Sequence, residues 1–83
     1  MRTYFVYMVE CTYGTYYTGY TVDSLAKRMA SHNQGTGAKY LRGRAPVRLV
    51  YSRKYRSLSA ALRAEIALKK LTRKQKQGLI AKP

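Results

Sequence analysis

Eighty-three residues with seventeen Lys and Arg, three acids and one His carry a formal net charge of +14. So short a chain makes one domain, residues 1–83, and its charge favours a polyanionic partner, nucleic acid before a membrane surface because the basic residues are dispersed rather than gathered on one helix face. A lone cysteine, Cys11, excludes an internal disulfide and, with one His, a closed four-ligand zinc site; the apolar run Tyr4 to Val9 is too short for a signal-peptide core or a membrane span, so a soluble, cytoplasmic protein is expected.

Thr3 to Val9 is apolar at both parities, which predicts a central strand covered on two faces. Thr12-Tyr13-Gly14 supplies a turn, and Thr15 to Thr21, rich in β-branched and aromatic residues, completes a hairpin. Asp23 precedes Leu25, Met29 and His32, which recur at i, i+4 and i+7, and reads as the N-cap of a first helix that Asn33 to Gly37 ends. Gly35 to Pro46 keeps neither period and carries Lys39, Arg42 and Arg44, marking a basic loop. Val47 to Ser52 reads as a third strand. Ser57 or Ser59 can cap a second helix through about Leu71. Thr72-Arg73-Lys74-Gln75 has the Thr-x-x-Gln form of a capping box opening a short third helix. The order is ββαβαα.

The residue inventory narrows the chemistry. His32 has neither an elbow motif nor a suitably placed partner for Ser-His-Asp or Cys-His acyl transfer. Glu10, Asp23 and Glu65 are too few for two-metal catalysis. Glu65 is the informative acid, on or beside the stripe of Leu58, Ala61, Leu62, Ile66 and Leu68. An acid there is costly unless something cationic meets it, either an Arg of this chain or a metal ion. Arg28 and His32, four apart, share a helix face and could converge on one phosphate; taken singly, Arg28 is more simply a solvated cation and His32 a hydrogen-bonded core-edge imidazole. Tyr7 and Tyr17 sit at parities that let each strand present one tyrosine to a single sheet face, where packing alone would also explain them.

Taken in order, Phe5-Val6-Tyr7, Tyr17-Thr18-Gly19, Arg28-x-x-x-His32-Asn33, Gly37-Ala38-Lys39-Tyr40, Arg44-x-Pro46-Val47 and Arg63-Ala64-Glu65 resemble the GIY-YIG endonuclease superfamily, specifically its small stand-alone bacterial members of the UPF0213 type. The likeness covers nearly the whole chain. It implies an α+β fold, a three-stranded antiparallel sheet flanked by helices. It also implies a metal-dependent nuclease hydrolysing phosphodiester bonds in DNA, directed by substrate shape rather than base sequence. In that reading Glu65 holds a single Mg²⁺ or Mn²⁺, Arg28 stabilises charge on the phosphate, and Tyr17, assisted by Tyr7 and His32, activates or orients the attacking water. Lys27, Lys39, Tyr40, Arg42 and Arg44 are expected to contact the nucleic-acid backbone or stack on an unpaired base. Phe5 and Thr18 replace the Gly and Ile of the two triplets, Tyr20 stands where nucleotide-excision-repair relatives place a Lys, and no Asn follows Glu65. Nothing resembles a helix-turn-helix or zinc-finger reader, so base specificity would need a protein partner; a monomer or weak dimer is expected. The alternative, from a different class, is a non-catalytic basic DNA- or RNA-binding module using the same surface.

Overall fold

The computed structural model describes residues 2–12 and 14–81. Tyr13, in the expected hairpin turn, lies outside them. Strands β1 (Tyr4–Glu10) and β2 (Tyr16–Val22) precede helix α1 (Leu25–Asn33), a 3-10 turn (Lys39–Leu41), strand β3 (Arg48–Tyr55) and helices α2 (Leu58–Lys69) and α3 (Arg73–Ala81). The sheet runs β2-β1-β3, antiparallel throughout, with β1 in the centre and a register shift against β3 between Met8 and Val9.

β1 is apolar at both parities because it is covered twice. Tyr7 and Val9 face one layer with Cys11, Leu41 and Val47, over which Tyr17, Leu25, Met29 and Ala38 pack. Val6 and Met8 face the other layer with Ala61 and Leu68, joined by residues of α3. Each fully buried Val or Met side chain contributes about 1.5–3 kcal/mol. No helix among the described residues is long and apolar enough to cross a membrane.

Local chemistry sets the element ends, with one correction to the expected caps. Asp23 does not cap α1; its φ of +68° puts it in the left-handed region, which Asp tolerates better than most residues. There its N–H donates to the Thr3 carbonyl at 2.7 Å and its Oδ1 accepts the Thr3 N–H at 3.2 Å, so Asp23 is tied to the start of β1. Ser24, in extended conformation, is the cap and accepts the Lys27 N–H at 3.2 Å. Ser57, not Ser59, caps α2 through the Ala60 N–H at 3.1 Å. At α3 the capping box closes both ways: Gln75 N–H to Thr72 Oγ1 at 3.2 Å and Thr72 N–H to Gln75 Oε1 at 2.9 Å.

The covered face of α2 also differs from the expected stripe. Ala61 and Leu68 are buried, whereas Leu58 and Ile66 are exposed, Ile66 by 54%. The helix is therefore rotated so that position 65 turns inward and position 66 outward.

Candidate active site

Tyr7 lies mid-strand on β1, directly opposite Gly19 of β2. A Cβ on Gly19 would stand 2.8 Å from the Tyr7 hydroxyl and 3.0 Å from Cε2 of Tyr17. Bare backbone at this one position lets two phenol rings occupy the space a side chain would fill.

Helix α1 brings Arg28 and His32 to the same point. The fully buried His32 places Nε2 2.7 Å from the Tyr7 hydroxyl, while the Ala38 N–H donates to Nδ1 at 3.3 Å. Burial holds the imidazole below its usual range, and the nearby Arg28 charge acts in the same direction. A neutral ring whose Nδ1 accepts a backbone N–H carries its proton on Nε2, so His32 donates to Tyr7. Arg28 Nε–H donates to the same phenol oxygen at 3.4 Å. With two N–H groups directed at its oxygen, Tyr7 has its own O–H available for a third partner. Burial raises the Tyr7 pKa, the Arg28 hydrogen bond and charge oppose that, and Tyr17 and Glu65 add to the rise.

Gly37 completes the cradle: a Cβ there would collide with His32 Nδ1. Asn33, at the end of α1, accepts the Val47 N–H at 2.8 Å and donates to the Val47 carbonyl at 3.4 Å, fixing α1 against the chain entering β3.

Tyr17 lies 6.5 Å from Tyr7 and 5.9 Å from His32, ring centre to ring centre, the latter edge-on. Its ring stacks on Tyr40 at 5.7 Å and 20°. Tyr40 also carries the Arg44 guanidinium 4.4 Å from its centre, and Arg44 Nε–H donates to the Tyr40 carbonyl at 2.8 Å. Tyr40 is thus a partner of both Tyr17 and Arg44, although it remains 44% exposed. Lys27, Lys39 and Arg42 are exposed.

Glu65 approaches from α2. Only 14% of its side chain is exposed, Lys69 Nζ stands 3.7 Å from it one turn away, and its charge acts on the Tyr7 phenol. The cation expected beside it is a lysine rather than an arginine, and the i, i+4 spacing of the pair was legible in the chain. Tyr7, Tyr17, Arg28 and His32 therefore form one contiguous group, with Glu65 within electrostatic reach of it. Sequence reasoning does not find the Ala38 amide, because a backbone donor leaves no residue-type signal; Gly37 beside it is the only trace.

The GIY-YIG catalytic domain family matches residues 3–78. A UPF0213 protein of Halobacterium salinarum is 53% identical over 74 residues, covering 89% of this chain and 95% of its own. A UPF0213 protein of Staphylococcus aureus is 48% identical over 80 residues, 96% of each chain. The solution NMR structure of a UPF0213 protein from Bacillus halodurans, 42% identical, superposes with a TM-score of 0.61 over 95% of this chain and 83% of that one. The two tyrosines meeting over Gly19, with Arg28 and His32 behind them, thus lie inside a matched nuclease-family domain, and the chain belongs to the GIY-YIG family alongside the small UPF0213 proteins.

Proposed function

We propose that this protein is a metal-dependent nuclease that hydrolyses phosphodiester bonds in DNA, selecting substrate by shape. The observation that carries the reading is one acid, Glu65, on the covered face of α2 with its charge acting on a phenol that Arg28 and His32 already engage. A largely covered acid beside a titratable cluster is a costly arrangement that functional sites retain.

A single carboxylate suits Mg²⁺ or Mn²⁺, hard ions that keep several waters and take further oxygens from substrate phosphates. Among the described residues no three His, Cys, Asp or Glu side chains gather to hold an ion alone. Glu65 would therefore hold the ion jointly with substrate. When bound, such an ion polarises the phosphate and stabilises the leaving oxygen.

The chain's own groups do the rest. Arg28, engaged with Tyr7 through Nε, has its terminal nitrogens for the phosphate and neutralises charge that grows as water attacks. Tyr17, the less buried of the two phenols, orients the attacking water, whose proton leaves to solvent, and Tyr7, kept protonated by burial, holds Arg28 and His32 in place beside it. One P–O bond forms to the water oxygen as the bond to the leaving strand breaks, without a covalent enzyme intermediate.

A non-catalytic binding module draws on a different observation, the Lys69 ammonium already meeting Glu65. One experiment separates the two readings. Purified protein is incubated with branched, flapped, single-stranded and duplex DNA in Mg²⁺, Mn²⁺ or EDTA. The nuclease reading expects metal-dependent nicking that Glu65→Gln lowers by about 10²-fold or more. Cleavage that survives this substitution overturns the metal assignment, and salt-sensitive binding without any nicked product overturns the nuclease.

A further inference from the structure

The sheet face that bears Tyr7 is covered over β1 and β2 but open over β3. Paired residues of an antiparallel sheet project to one side. Tyr7 pairs with Ser52 and Phe5 with Lys54, so these two exposed β3 residues stand beside the candidate active site. Beyond Lys54, the end of β3 and the N-terminal segment enclose a cleft of about 470 Å³ lined by Arg2, Thr3, Lys54, Tyr55 and Arg56.

Among the described residues, three cations and no acid line this cleft. Among the described residues, the acid paired with a lining cation is Asp23, 3.9 Å from Arg2, while Glu10 and Glu65 are engaged by Arg48 and Lys69. In a chain of net charge +14, such a concentration of like charge is relieved by an anion. The cleft is open and larger than one phosphate group, which suits a sugar-phosphate segment better than a small enclosed ion. Its place along β3 gives the direction. From Ser52 to Lys54 the strand advances about 6.6 Å, a span of one to two nucleotides in a strand bearing one charge per roughly 3.4 Å of axis.

We propose that this cleft is a second phosphate-binding subsite, taking the backbone of the same nucleic-acid strand a nucleotide or two from the phosphate engaged at Tyr7 and Arg28. The proposal rests on the nucleic-acid reading above. It assigns Lys54 and Arg56 to backbone binding and gives them no part in the chemistry.

The test is the salt dependence of binding to a short single-stranded DNA in EDTA, where no hydrolysis is needed. Lys54→Gln with Arg56→Gln is expected to reduce the slope of log K against log salt by about 0.7 to 1.4, one to two phosphate contacts. The control Lys70→Gln with Lys74→Gln removes the same charge from the α2–α3 side and is expected to change the slope by less than half as much. Equal changes in both variants, or none in the first, overturn the subsite and leave the nuclease reading standing. The expected difference, together with no cleavage by the unmodified protein in metal, supports the subsite and overturns the nuclease.

Discussion

The Tyr7 hydroxyl lies 2.7 Å from His32 Nε2, and the direction of that hydrogen bond is decided on the far side of the ring, where the Ala38 N–H points at Nδ1 from 3.3 Å. A backbone amide can only donate, so the neutral imidazole must hold its proton on Nε2 and donate to Tyr7. Nitrogen-15 NMR of the ring at neutral pH should therefore show the Nε2–H tautomer. Tyr7→Phe deletes the acceptor on one side and leaves the Ala38 amide in place, so the tautomer should persist in that variant. Finding the proton on Nδ1 in the unmodified protein would reverse the polarity of the whole cluster.

Gly19 makes a second relationship testable. Its Cα faces the Tyr7 hydroxyl so closely that an added methyl would sit 2.8 Å from the oxygen. Tyr7 cannot swing aside because it is fully buried and engaged by Arg28 and His32. Gly19→Ala should cost about 1–3 kcal/mol as overpacking, read as a lower urea midpoint at unchanged m-value. Because the hydroxyl is the nearest obstacle, Gly19→Ala should cost less in a Tyr7→Phe background. Additive costs would place the strain elsewhere.

These two relationships also mark how far the amino-acid order could be read. Signals carried by residue type at short spacing were legible: the doubly apolar β1, the Thr72–Gln75 box, the face shared by Arg28 and His32. Asp23 and Ser24 both have capping side chains, and only the backbone angle, left-handed at Asp23 and extended at Ser24, selects between them. Glu65 and Ile66 invert the usual pattern, acid covered and aliphatic exposed, because α2 is rotated onto Ala61, whose small side chain lets the helix approach the sheet. Tyr40 reads as a free stacking platform in sequence, yet its ring is already engaged by Tyr17 and Arg44, through contacts from separate elements that no local spacing records.

Thr18 occupies the position where the family triplet carries Ile. It is buried, and among the described residues its hydroxyl has no hydrogen-bond partner. Burying a hydroxyl without a partner costs about 1–3 kcal/mol. Thr18→Val keeps the shape and removes the polar atom, so it should stabilise the fold by about 1 kcal/mol in urea denaturation, with nucleic-acid binding unchanged. A destabilised Thr18→Val protein would mean that the hydroxyl is satisfied after all, by an ordered water or a rearranged neighbour.

The pH dependence of stability should report on His32. It is the only histidine, so comparison with a variant lacking the imidazole isolates its contribution. Burial first, and the Arg28 charge second, hold its folded pKa below the ordinary 6.5. The unfolded chain therefore takes up a proton as the pH drops past 6.5, while the folded protein refuses it until the pH is lower. Protons bound in the unfolded state exceed those in the folded state across that interval, so stability rises with pH there. The contribution is fully present above 6.5, is lost as the pH falls from 6.5 toward the lowered folded value, and changes no further below it. The steepest slope is about 1.36 kcal/mol per pH unit, the limit for one proton. Thermal melts between about pH 8 and pH 5 should show the unmodified protein losing stability through this window and His32→Gln nearly level across it, since a glutamine has nothing to titrate. A flat profile for the unmodified protein would mean that the ring is protonated as readily in the fold as in water, and the donated hydrogen bond to Tyr7 could not then depend on a neutral imidazole.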